Sequence, residues 1–229
     1  MSKRFLAIAA TAISLFLGGC GTTKMPFADD AGAAVASDKP VYLMTATLRN
    51  DYKPAYQPKV MDLIIEKKGS KETGDIFFVR TDAKSKVEDD TAEKGNSYFM
   101  RMELENGDYV FKSMNGFSLG FMVAGAFSVP MNSPLKSSGV GGVYYLGHVQ
   151  AVVRESKPGE FKAGPPAPNI SQIPTGYGNG TFDVEISDQS DKDIPAFQSK
   201  FPALKNVTIQ KAILPSFDRA LAQKNWDKR

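Results

Sequence analysis

The stretch SYFMRMELENGDYVF, residues 97–111, holds two runs of period two joined by a turn. Tyr98, Met100, Met102 and Leu104 alternate with Phe99, Arg101, Glu103 and Glu105, the pattern of a strand with one buried face. Asn106-Gly107-Asp108 carries the residues of a hairpin turn, and a second alternating run follows it.

Working outward, the same period recurs along most of the chain. Met61, Leu63 and Ile65 alternate with Asp62, Ile64 and Glu66; Phe182, Val184 and Ile186 alternate with Asp183 and Glu185. Similar runs occupy 41–49, 76–81, 108–114 and 143–154, with turn signals at Lys68-Gly69-Ser70 and Gly95-Asn96. In FSLGFMVAGAFSV, 117–129, the odd positions are mostly apolar and the even ones small. That pattern predicts one long interior strand, or a bent pair with a bulge near Gly120 or Gly125; its functional reading is a membrane-inserting or partner-binding strip. The expected fold is mainly β, an antiparallel β-sandwich of about eight strands with one or two C-terminal helices.

Pro195 suits a first helical position, with Phe197 and Phe201 on one face before Pro202 stops the helix. Ser216 is the expected cap of a second helix within 215–229, which has Phe217 and Leu221 at i, i+4 and Trp226 near its end. Before the helices, 158–180 forms a long loop rich in proline and glycine, the largest irregular surface expected on the domain. The β domain is expected to span 41–214.

The N-terminus is of another kind. Lys3 and Arg4 precede an apolar run from Phe5 to Leu17, which is too short to cross a bilayer but suits an export signal over 1–19. Leu17-Gly18-Gly19-Cys20 then resembles the lipobox of bacterial lipoproteins, and Cys20 is the only cysteine in the chain. The resemblance implies cleavage before Cys20, lipid (diacylglycerol and palmitate) on that residue, and a stable membrane anchor, because several acyl chains hold where one does not. Gly21 in place of aspartate implies sorting to the outer membrane of a Gram-negative cell. Without the signal, 26 cations face 25 carboxylates, so the near-neutral domain shows no footprint for nucleic acid. Residues 20–40 are small and polar, and are expected to be a flexible tether with a reach of about 25 Å.

LENGDYVF, of the form L-x-x-G-x-Y, resembles a strand motif of prealbumin-like β-sandwich modules on bacterial surface proteins. VYYLGHV and ISDQSDKDIPAFQSKFPAL are similar to segments of uncharacterised envelope lipoproteins. Neither resemblance implies an activity.

Residues for chemistry are few. His148 is the only histidine; its strand position puts it on a face with Tyr144, Leu146, Gln150 and Arg154, half exposed. Asp188, Asp191 and Asp193 lie close in sequence and form a calcium candidate, without the glycine and terminal glutamate of an EF-hand. GYGNG and GVGGVYYLG lead into strand patterns rather than helices, which fails the context of a phosphate loop. The reading is therefore a non-catalytic, lipid-anchored envelope protein without a cofactor, which binds another envelope protein or is displayed at the surface. Its alternative is a carbohydrate- or peptidoglycan-binding module using loop aromatics such as Tyr177, Tyr52 and Tyr56, with His148 as a further candidate contact. A hydrolase using the acidic residues is third.

Overall fold

The computed structural model describes residues 22–27, 39–69, 75–87, 91, 93–120, 122–138, 141–165 and 172–229. The described residues form ten strands: β1 (Thr22–Lys24), β2 (Pro40–Asn50), β3 (Lys59–Lys67), β4 (Ile76–Arg80), β5 (Asn96–Glu103), β6 (Gly107–Leu119), β7 (Ala124–Ser137), β8 (Gly142–Glu155), β9 (Gly180–Ser187) and β10 (Ile209–Lys211). Two α-helices, α1 (Ser190–Lys200) and α2 (Arg219–Trp226), lie among and after the last strands.

Sheet A has the order β1-β4-β3-β6-β7; sheet B has β10-β8-β2-β5, with β9 also paired to β8. Met44 and Leu48 of β2 and Met100 of β5 share one core with Leu63 of β3 and Phe111 and Met114 of β6. The arrangement is mainly β and sandwich-like. Both sheets are mixed rather than antiparallel, since β1 runs parallel to β4, and β2 and β10 run parallel to β8. Ten strands replace the expected eight because β1 and β10, of three residues each, are too short to show alternation.

The stretch 97–111 contains a second correction. Asn106-Gly107-Asp108 does not close a hairpin: β5 pairs with β2 in sheet B, whereas β6 pairs with β3 and β7 in sheet A. The segment carries the chain from one sheet to the other. Leu104 is buried, Gly107 has φ of 152°, and the Tyr109 hydroxyl donates to the Glu105 carbonyl at 3.1 Å. A tyrosine bonded back to the main chain a few residues upstream fixes such a corner between sheets.

The stretch 117–129 is a hairpin end, with Leu119 opposite Ala124 and the Gly120 N–H bonded to the Val123 carbonyl at 2.8 Å. Four residues intervene, so the face changes parity across the turn. Phe127 and Val129 point into the core, while Phe117 is half-buried and Leu119 exposed.

Sheet B is covered on its outer face. Phe197 of α1 and Phe201, just after its last residue, pack with Leu204 on Val41, Leu43, Phe99 and Val143. Helix α1 starts at Ser190, so Pro195 lies inside it rather than at its first position. The start is set by the Asp188 carboxylate, which accepts the Ser190 N–H at 2.9 Å, and by the Gln189 carbonyl, which accepts from Asp193 at 2.8 Å. Helix α2 is capped by Asp218, whose carboxylate accepts the Leu221 N–H at 2.8 Å, and not by Ser216.

Within the expected tether, residues 22–27 belong to the folded body. Thr22, Thr23 and Lys24 pair with Phe78, Val79 and Arg80, Met25 is buried in the core, and the Pro26 carbonyl accepts from Arg101 Nε at 2.8 Å.

Candidate functional site

Cys20 lies outside the described residues. The other residues singled out from sequence are placed apart, and most of them are consumed by internal bonds.

His148 is buried, not half exposed, and faces α1. The cause is one extra residue in β8: Leu43 pairs with Tyr145 but Thr45 with His148, and Gly147 at φ 108° takes up the bulge. Leu146 before it points into the core between the sheets, whereas His148 after it points outward beneath the helix. Nδ1 of His148 lies 2.9 Å from Thr45 Oγ1, and the Thr45 hydroxyl in turn donates to Asp193 Oδ2. The Tyr145 hydroxyl donates to the same carboxylate oxygen at 2.5 Å. With the threonine hydrogen given to Asp193, Nδ1 carries the histidine proton. Burial holds the His148 pKa below its ordinary value; the Asp193 carboxylate opposes this and Lys192 adds to it. Burial, with Asp193 alongside, raises the Tyr145 pKa. Two hydroxyl donors on one carboxylate make this cluster a fastening for α1 on sheet B.

The three aspartates do not converge. Asp188 caps α1 and pairs with Lys211 at 2.9 Å, Asp191 is exposed, and Asp193 points into the cluster just described. No group of three or more His, Cys, Asp or Glu fit to hold a metal occurs among the described residues. The calcium candidate is therefore taken apart by helix geometry.

Tyr177 is fully buried and cannot serve as an exposed stacking platform. Its hydroxyl donates to the Tyr56 carbonyl at 3.1 Å and meets Ser118 Oγ, and its ring centre lies 5.5 Å from that of Phe127. The 158–180 segment supplies core as well as surface, since Phe161 and Ala163 are also buried.

The most open surface among the described residues is the outer face of sheet A, over which no described helix lies as α1 lies over sheet B. At one end lies a groove of about 430 Å³ between the sheet and α2, lined by Ile64, Ile76, Pro130 and Trp226 with Glu66 and Lys112 at its polar side. Glu66 and Lys112 pair at 3.1 Å. Asn132, at φ 47° on the bulged part of β7, accepts from Asn225 Nδ2 at 3.0 Å and ties α2 to the sheet. Arg154 and Arg219 bind Glu160 and Asp183, which secures α2 from the other side and holds the Glu160 carboxyl down to about 2. At the other end the β6–β7 turn carries the exposed apolar side chains Leu119 and Met122. The groove itself joins strands far apart in sequence to the last helix, and no motif announces it. Compared with protein-family models, with curated proteins and with solved structures, the chain matches none.

Proposed function

We propose that the chain is a non-catalytic, lipid-anchored envelope protein, exported by residues 1–19, lipidated on Cys20 and held at the outer membrane. Its two sheets act as a sandwich scaffold that presents the groove between sheet A and α2 to another envelope protein. The observation that carries this reading is the asymmetry of the two outer faces. Phe197 of α1 and Phe201 just after it seal sheet B, while half-buried Ile64 and Ile76 line a face of sheet A that no described helix seals. Apolar side chains left in contact with solvent on a continuous face mark an interaction surface.

Trp226, Asn132 and Asn225 around the groove support a cell-wall glycan as the second reading, since an aromatic ring beside amides suits a sugar. One face of the Trp226 ring carries the Arg229 guanidinium at 4.9 Å, which favours the protein partner. The hydrolase reading draws no support from the groove, where Glu66 is already paired with Lys112.

The test is complementation of a deletion strain. Ser128→Arg, which fills the groove, should abolish complementation, and a photocrosslinker at Ser128 should give one discrete adduct in membranes. His148→Ala should complement if the protein is folded and anchored. The reverse pattern, with loss at His148 and none at Ser128, overturns the proposal.

A further inference from the structure

The large exposed apolar side chains among the described residues are Met61, Leu119, Met122 and Ile173, at 41%, 58%, 89% and 64% exposure. All four gather at the turn end of sheet A. Met61 and Leu119 flank Phe117 and Ala124 on the outer face. Met122 is in the β6–β7 turn, and Ile173 is in the adjoining turn, whose Thr175 abuts Gly125. Exposed cations lie on one side of them: Lys59 of β3 is opposite Phe117, Arg80 of β4 is opposite Asp62, and Lys24 of β1 is opposite Arg80. None of these three cations has an ion-pair partner among the described residues, whereas the nearby Asp62 carboxylate is occupied by Asn115 Nδ2 at 3.0 Å.

We propose that this turn is a second membrane contact, which inserts Met122 and Leu119 into an anionic phospholipid bilayer while Lys24, Lys59 and Arg80 meet the headgroups. Charge selects the occupant. Met122 stands almost wholly in solvent beside a shallow hollow lined by Met61, Phe117 and Leu119, with Lys59 and Arg80 on the same sheet, and a few apolar side chains beside basic residues suffice at an anionic interface. The site deepens the lipid-anchored reading, on which its biological setting rests, but the contact itself requires no lipid on the protein.

The test uses the unlipidated Cys20→Ser protein, so that failure of the anchor reading and failure of this one are separate results. A polarity-sensitive fluorophore is placed through Met122→Cys and, as a control on the α1 side, through Asp191→Cys. Vesicles of phosphatidylethanolamine and phosphatidylglycerol should shift the first fluorophore to the blue and leave the second unchanged, while phosphatidylcholine vesicles should move neither. Lys59→Glu with Arg80→Glu should weaken vesicle binding at least tenfold, as should Leu119→Asp with Met122→Asp in unlabelled protein followed by co-sedimentation. No shift at position 122 on anionic vesicles overturns the proposal, as does an equal shift at both positions. A photocrosslinker at Met122 that gives a discrete protein adduct rather than lipid in cell membranes also overturns it, in favour of a protein partner.

Discussion

The Arg101 guanidinium lies 4.3 Å from the centre of the Phe201 ring, and the same group donates to the Pro26 carbonyl at 2.8 Å and binds Asp82. One fully buried side chain thus joins the N-terminal segment, the loop after β4 and the chain just beyond α1. Burial lowers its pKa, and Asp82 opposes that shift, so the charge is held by its partners. Removing one member of a buried pair leaves the other uncompensated. Arg101→Ala should cost about 3 kcal/mol, read as a lower urea midpoint, and should free residues 22–27 to proteolysis. A variant as stable as wild type would count against this hub.

Acid should loosen α1. The His148 pKa is lowered in the folded state, so the unfolded chain binds more protons in the range just below the ordinary histidine value of 6.5. Stability is therefore full above that value and declines as pH falls through it, until the folded-state pKa is passed. Denaturation midpoints measured between pH 8 and pH 5 should fall, and His148→Gln should flatten that slope. An unchanged slope in the variant would assign the acid sensitivity to other groups.

Tyr109→Phe removes the hydroxyl that holds the corner to Glu105. A single neutral hydrogen bond contributes about 1 kcal/mol, and a loss of that size with an unchanged β-dominated circular dichroism spectrum is expected. A spectrum dominated by helix, in wild type or variant, would contradict the fold.

Tyr177→Ala should cost roughly 3–5 kcal/mol, because a buried aromatic leaves a cavity. Deleting 158–180 should accordingly abolish folding rather than remove a surface alone, measured as loss of soluble, protease-resistant protein.

Cys20→Ser should give soluble or unprocessed protein in place of the lipid-anchored form and end palmitate labelling. Labelling that persists in this variant would refute the anchor.

The sequence by itself determined the elements. Period two along 97–105 and 181–187 places Tyr98, Met100, Met102 and Phe182 in the core, because alternate side chains of a strand take opposite faces whatever its neighbours are. The spacing of Phe197 and Phe201 was equally readable. Only the tertiary structure decided which strands pair and where faces change. The extra residue at Gly147 reverses the face of His148, and four residues between Leu119 and Ala124 reverse that of the β6–β7 strip. A shift of one residue moves every later side chain to the other side of a sheet, and composition carries almost no record of it. Burial of Tyr177, dispersal of Asp188, Asp191 and Asp193, and the groove beside Trp226 all follow from contacts between residues distant in the chain. Local pattern could not set those contacts, because they depend on which faces the assembled sheets and helices leave to one another.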